Sequence, residues 1–342
     1  MPSTQLTAAE LAAWSDTRQP AIYVVCALLL VLGNASVPLR IWAQWRIHKK
    51  VIMEDYFLIA ALIFANVVTI STMVAASNGL GLHIWRVEKQ DPTLQPLVKI
   101  FSCIWVTALF NGPSLFATKV ALLLYYRRLF VVNQTWLKIT WWANLIYVIL
   151  WALAITLFYI LQCSPVNYYW ERVNPYSTIQ GGSCTVPLNL IGIPLILSAV
   201  SDFSILLLPI ITVLGLKLNL QLKLGLTAVF SVGFLSFACA VARICVLLAV
   251  TDIDRDQTWS FVPFELLNAV ELTFAIICAS AVPIFSRVRQ MFLGQRSQNS
   301  YNNYGYQMQS GKSLRGGDAA RLPSSSSEHL SKDYSGVETR AF

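Results

Sequence analysis

The stretch AIYVVCALLLVL, Ala21 to Leu32, is apolar almost throughout and shows no alternation; IGIPLILSAV, Ile191 to Val200, reads the same way. In hydrocarbon, only a helix or a closed barrel satisfies the backbone's own hydrogen-bonding groups. Barrel strands are about ten residues long and alternate strictly, so these runs are helical. A bilayer core about 30 Å thick takes roughly 20 apolar residues of helix. Working outward from the two runs, stretches of that length fall at approximately 19–43, 54–79, 97–126, 138–162, 188–214, 222–250 and 262–285. The fold class is therefore an all-α membrane protein, a receptor-like bundle of seven transmembrane helices.

Composition agrees. Charged residues make up 12% of the 342, against about 25% in an average soluble domain. A short extracellular N-terminus over 1–18, a helical domain over 19–290 and a disordered, serine-rich cytoplasmic tail over 291–342 account for the chain. The tail carries the run Ser324 to Ser327 and too little apolar surface to offset the entropy of ordering. Its serines are sites where phosphorylation could tune a partner. Met1 to Gln19 holds Glu10 and Asp16 but no basic n-region, so no cleaved signal peptide is expected.

The net charge of +8 does not point to nucleic acid, because the bases sit in short loops. One side carries Arg40, Arg46, Lys49, Lys50, Arg127, Arg128, Lys138, Lys217, Lys223, Arg287, Arg289 and Arg296. The other has Arg18, Arg86, Lys89, Lys99, Arg172 and Arg255, with Asp252, Asp254 and Asp256 beside them. Twelve bases against six place the first side in the cytoplasm and the N-terminus outside. Two sequons, at Asn34 and Asn133, are then unglycosylated: the first lies in a span, the second in a cytoplasmic loop. Trp42, Trp45, Trp85, Trp136, Trp141, Trp170 and Trp259 fall near span ends and read as interface anchors.

Of seven cysteines, Cys26, Cys239, Cys245 and Cys278 lie within spans. Cys103, Cys163 and Cys184 lie near the outer face, where disulfides form. Two pairings are open, Cys163–Cys184 and Cys103–Cys184. No spacing suggests a metal site or thiol exchange.

Ionisable residues inside spans are costly and face the bundle interior. Five stand out: Lys119, Asp202, Arg243, Glu265 and Glu271. At 1.5 Å of rise per residue, Lys119 and Asp202 share the cytoplasmic half. Arg243 lies in the outer half, near the depth of Glu271 or Glu265. These charges sort into an outer cluster, a candidate polar floor for a ligand cavity, and an inner cluster of Lys119 and Asp202 with Arg127 and Arg128 below. Retinal is not expected as a cofactor, because it needs a seventh-span lysine and none occurs between Lys223 and Lys312. The third span ends Tyr126-Arg127-Arg128, without the acidic-Arg-aromatic triplet of animal receptors, and the seventh lacks Asn-Pro-x-x-Tyr.

Seven strings occur in order: Glu54-Asp55-Tyr56-Phe57; Gly79-Leu80-Gly81-Leu82-His83-Ile84-Trp85; KVALLLYYRRLF from Lys119; Gln162-Cys163-Ser164-Pro165, followed by Trp170 and Cys184; Ser201-Asp202-Phe203 leading to Leu207-Leu208-Pro209; Lys223-Leu224-Gly225 leading to Val229-Phe230-Ser231-Val232-Gly233 and Arg243; and Glu271 to Pro283. Together, over about residues 20 to 290, they closely resemble the fungal rhodopsin-domain integral membrane proteins. That family includes pathogenesis-type receptor-like proteins and membrane proteins of toxin biosynthetic clusters. The resemblance implies a seven-helix receptor-like bundle in a filamentous fungus. It also adds His83 and Trp85 to the candidate cavity residues. Some members carry a cysteine-rich extracellular domain; with no cysteine before Cys26, none is expected here.

The leading expectation is a plasma-membrane sensor of a small extracellular ligand, with Arg243, Glu265 and Glu271 lining its outer cavity and a signalling protein as cytoplasmic partner. A small-metabolite exporter is the second reading, although no internal repeat or paired broken helix supports it. A membrane-embedded cyclase or isomerase using Asp202 or Glu271 as proton donor ranks last, for want of a nucleophile motif or cofactor loop.

Overall fold

A computed structural model describes residues 13–49, 51–91, 93–130, 135–174, 181–184, 192–214, 220–249 and 256–281, with 177, 179 and 284. The tail from Met291 and the sequon at Asn133 lie outside the described residues. Long helices dominate: α1 (Gln19–His48), α2 (Met53–Ser77), α3 (Gln95–Phe130), α4 (Thr135–Leu161), α5 (Gly192–Leu214), α6 (Leu220–Ala249) and α7 (262–281). Five helical segments are long and apolar enough to cross a bilayer: Gln19–Arg46, Met53–Ser77, Gln95–Arg128, Thr135–Leu161 and Gln257–Ala281. Shorter apolar stretches, Gly192–Leu208 and Gly233–Ala249, lie in α5 and α6.

The distribution of side chains inverts that of a soluble protein. Leu28, Leu161 and Leu248 are 59%, 69% and 74% exposed, while Arg40, Lys119 and Arg243 are 1%, 2% and 1% exposed. Apolar outside and charged inside is what a hydrocarbon solvent selects. Pro20 sits in the first turn of α1, where its missing N–H costs nothing.

α3 is the axial helix. With α2 it forms the broadest helix–helix interface, where Ala61 and Ala65 let the two backbones approach. Leu115, Ala117 and Ala121 of α3 join Trp151, Ile155 and Tyr159 of α4 and Leu272, Ile276 and Ala279 of α7 in one buried cluster. On its other side, Leu123 and Tyr126 pack with Trp141 and Val148 of α4 and Ile205 and Leu208 of α5. Trp141 Nε1 donates to the Leu123 carbonyl at 2.7 Å, and Trp151 Nε1 to the Pro194 carbonyl at 3.0 Å. These indoles are helix–helix links, not interface anchors as the sequence suggested for Trp141.

Two outer elements shape what lies beneath them. After α4, Cys163–Ser164 pairs antiparallel with Ser183–Cys184, and a disulfide joins Cys163 to Cys184. Cys103 is a free thiol on α3. The short helix Tyr168–Glu171 lies within this loop, and Trp170 meets Trp105 of α3 with ring centroids 5.5 Å apart. After α2, the string from Gly79 makes a tight turn with φ of 118° at Gly79 and 94° at Gly81. Gly81 N–H donates to the Thr258 carbonyl at 3.0 Å and its carbonyl accepts from Arg18 N–H at 2.8 Å. The turn thereby joins the start of α1 to the segment before α7. Gly79→Ala is expected to cost about 1–3 kcal/mol of backbone strain; a Cβ there would also lie 2.9 Å from Val87 Cγ2. Thermal unfolding in detergent measures it.

One expectation needs correcting. Arg40 does not belong to a loop. α1 continues to His48, and Arg40 is buried against α2. Arg127 and Arg128 likewise stand in the last turn of α3.

Candidate functional site

The best-formed cavity in the described residues, about 270 Å³, lies below the disulfide-closed loop. α3 supplies Phe101, Ile104, Thr107, Ala108 and Asn111; α4 supplies Tyr159 and the residue after it, Gln162. Tyr169 and Arg172 come from the outer loop, Arg243 and Leu247 from α6, and Phe264, Glu265 and Asn268 from α7, with Gln257 and Phe261 just before. Burial pushes the Tyr169 phenol up, although the Arg172 guanidinium opposes the shift; the group stays a neutral donor near neutral pH.

Arg243 holds the floor together. Its Nη2 lies 2.8 Å from Glu271 Oε2, and Nη1 donates to Asn268 Oδ1. A buried guanidinium needs such partners, because an unpaired one would cost several kcal/mol. Glu265 is less well served. The Thr107 hydroxyl donates to its Oε1 at 3.4 Å, while Oε2 has no hydrogen-bond partner. Asn111 Oδ1 and Arg243 Nε are also buried without one. These three residues are at least nine-tenths buried, and all line the cavity. Buried polar atoms are nearly always paired, and these three, brought from α3, α6 and α7, line one cavity.

The outer cluster expected from the sequence is therefore divided. Arg243 and Glu265 reach the cavity. Glu271 lies outside its lining and serves as Arg243's counter-charge. His83 and Trp85 do not line the cavity either. They form a separate rim assembly in which His83 stacks between Trp85 and Trp259, centroids 5.3 and 4.2 Å away. His83 Nδ1 lies 2.5 Å from Asp256 Oδ2, and Asp256 Oδ1 accepts from Ile84 N–H at 3.0 Å. Arg18 covers the outer Trp259 ring at 4.1 Å. The rim fixes Asp256, which directly precedes the cavity residue Gln257.

The inner cluster is divided as well. Lys119 Nζ contacts Asp202 Oδ1 at 3.1 Å, Ser198 Oγ at 2.9 Å, Ser201 Oγ at 2.6 Å and the Ser198 carbonyl at 3.1 Å. It also lies 4.8 Å from the centre of the Trp151 ring. A small cavity of about 40 Å³ adjoins the pair. Arg127 and Arg128 are not part of it. Arg127 lies over Trp141 at 5.1 Å, and Arg128 Nη2 reaches Glu54 Oε2 at 3.5 Å.

Sequence reasoning missed a third charge centre. Arg40 Nε donates to Asp55 Oδ1 at 2.8 Å, Nη2 to Glu54 Oε2 at 3.1 Å, and Nη1 to the Ala279 carbonyl. The adjacent acids Glu54-Asp55 at the start of α2 were the available signal: two carboxylates entering a membrane span require a cation. Asn111 and Asn268, amides inside apolar helices, were the corresponding signal for the cavity.

Among the described residues, no group of three or more His, Cys, Asp or Glu side chains could hold a metal ion.

The sequence profile of the Fungal rhodopsin domain matches residues 39–290. The chain is 21% identical over 271 residues to Wortmanamides biosynthesis cluster protein C of Talaromyces wortmannii, covering 79% of this chain and 71% of that protein. It is 29% identical over 248 residues to an SAT4 family membrane protein of Emericella nidulans, covering 68% and 58%. Fugralins biosynthesis cluster protein 2 of Gibberella zeae is 25% identical over 272 residues, covering 76% and 64%. The chain thus spans less than two thirds of the last two relatives.

Proposed function

We propose the following function for this chain, which belongs to the fungal rhodopsin domain family: a seven-span, receptor-like sensor of a small extracellular ligand. Its N-terminus is outside the plasma membrane and its serine-rich tail, 291–342, is in the cytoplasm. The ligand site is the cavity under the Cys163–Cys184 loop. The observation that carries the reading is the set of three buried polar atoms on its wall, Asn111 Oδ1, Glu265 Oε2 and Arg243 Nε, left without partners. A ligand that satisfies them in one arrangement of the bundle and not in another would shift the balance between the two. The direct Arg243–Glu271 contact gives the floor a path into α6 and α7. Arg127 and Arg128, at the opposite end of α3 from Phe101 and Ile104, are placed to meet a cytoplasmic signalling protein. No retinal enters this reading.

The names of two relatives refer to biosynthesis clusters, which favours metabolite handling as the competing role, with export as its simplest form. A strain lacking the gene, complemented with wild type or Ala108→Trp, discriminates the two. Ala108 lines the cavity, and an indole there fills much of it. The sensor reading expects altered transcription on exposure to culture extract, unchanged metabolite efflux, and no rescue by Ala108→Trp. A reduced efflux rate in the deletion strain, restored by wild type, sinks it in favour of export.

A further inference from the structure

The cavity's unpaired groups differ in kind along its depth, and this difference specifies a ligand. At the floor, Arg243 keeps an unpartnered Nε, but Glu271 balances its charge and Asn268 occupies Nη1. Glu265, 3% exposed, therefore has no cation of its own within ion-pair distance among the described residues, and only the Thr107 hydroxyl as hydrogen-bond donor. A buried carboxylate in that position is stabilised by a counter-cation that also donates hydrogen bonds. Asn111 Oδ1, from α3, is a second orphan acceptor lining the same cavity. Two acceptors without donors fit an ammonium group better than a hydroxyl or a carboxylate.

The mouth has the opposite character. Arg172 lines it from the outer loop, with no carboxylate in ion-pair contact among the described residues. Its guanidinium instead lies over the rings of Tyr169 and Phe101, at 5.2 and 5.9 Å. A guanidinium held in place over aromatic faces presents its edge as a fork for a carboxylate. Between floor and mouth the walls are ring faces and aliphatic groups: Phe101, Ile104, Tyr159, Phe261 and Phe264. The volume of about 270 Å³ equals roughly nine waters' share of the liquid, the size of a molecule with about a dozen non-hydrogen atoms.

We propose that the ligand is a small zwitterion of amino-acid type: an ammonium held by Glu265 and Asn111, a carboxylate held by Arg172, and an apolar or aromatic body between them. This assignment rests on the cavity being a ligand site, and the test separates the two ideas.

Full-length protein in lipid nanodiscs is titrated with four probes sharing one body: phenylalanine, phenethylamine, 3-phenylpropionate and 3-phenylpropanol. Phenylalanine is expected to bind at least tenfold more tightly than the other three. Glu265→Gln, nearly isosteric, should weaken phenylalanine and phenethylamine at least tenfold and leave 3-phenylpropionate within about twofold. Arg172→Gln, at an exposed position, should weaken phenylalanine and 3-phenylpropionate and spare phenethylamine. Binding led by 3-phenylpropionate or 3-phenylpropanol, and abolished by Ala108→Trp, would overturn the zwitterion while leaving the cavity a ligand site. Phenethylamine binding as tightly as phenylalanine removes the role of Arg172 and overturns it too. If no probe binds, or binding ignores Ala108→Trp, the assignment fails together with the site. Should Ala108→Trp not fold, Leu247→Trp, at another position lining the cavity, provides the same control.

Discussion

Arg243→Ala destabilises the protein by about 3–5 kcal/mol, the usual consequence of removing one partner of a buried ion pair. The size follows from what stays behind. Glu271 is fully buried and loses its cation; Asn268 Oδ1 loses its donor. Nothing else in the described residues reaches Glu271 as an ion pair. Glu271→Gln should also be destabilising, since the guanidinium is then buried with no counter-charge. The informative variant is the double replacement Arg243→Met with Glu271→Leu. Removing both charges eliminates both desolvation penalties, so it should recover most of the loss and can equal or exceed wild type. Thermal unfolding in nanodiscs and surface expression read all three. A loss under about 1 kcal/mol for Arg243→Ala would show that water or lipid headgroups reach the floor and that the pair is not buried. On the proposed sensor reading, the double variant should fold and yet lose ligand response, because Arg243 lines the cavity.

Part of this arrangement was legible in the sequence because membranes impose simple rules. Apolar runs such as Ala21 to Leu32 announce helices, since lipid tolerates nothing else. Depth alone brought Lys119 near Asp202 and Arg243 near Glu271 or Glu265, because a straight helix converts residue number into distance. Contacts between distant loops escaped that arithmetic. His83 and Asp256 are 173 positions apart and neither lies mid-span, so depth says nothing about their meeting. The family resemblance alone places His83 and Trp85 at the cavity, and the structure places them in the rim. Asn111 and Asn268 were overlooked for a different reason. An uncharged amide in a span carries a smaller desolvation cost than a charge, so it stands out less, yet in this cavity an amide oxygen is one of the three unpaired atoms. Arg40 was misread because counting bases for topology treats every arginine near a span end as a loop residue. The apolar span 19–43 already contains it, and its burial follows from the carboxylates of Asp55 and Glu54 on α2.

Arg40→Ala is expected to be as damaging as Arg243→Ala or more so, again from about 3 to 5 kcal/mol upward. Arg40 binds three partners on two other helices: Asp55 and Glu54 on α2 and the Ala279 carbonyl on α7. Its loss leaves two adjacent carboxylates buried, with exposures of 0% for Asp55 and 3% for Glu54. Arg128 cannot replace it. That side chain is about one-third exposed and reaches only Glu54, at 3.5 Å. Glu54 keeps its Arg40 contact at 3.1 Å when Arg128 is removed, so Arg128→Ala should cost less than Arg40→Ala. Arg40→Lys tests the geometry. A lysine keeps the charge, but its ammonium is a point and not a planar fork, and it cannot hold Asp55, Glu54 and Ala279 together. Its stability should fall between wild type and Arg40→Ala. If Arg128→Ala proved the more damaging of the two alanine variants, the clamp would be centred on α3 and not on α1. The predicted order, Arg40→Ala worst, Arg40→Lys intermediate and Arg128→Ala mildest, follows from burial and bond geometry alone. It also gives the two arginines different roles: Arg40 ties α1, α2 and α7 together, and Arg128 touches the same centre from a partly exposed position.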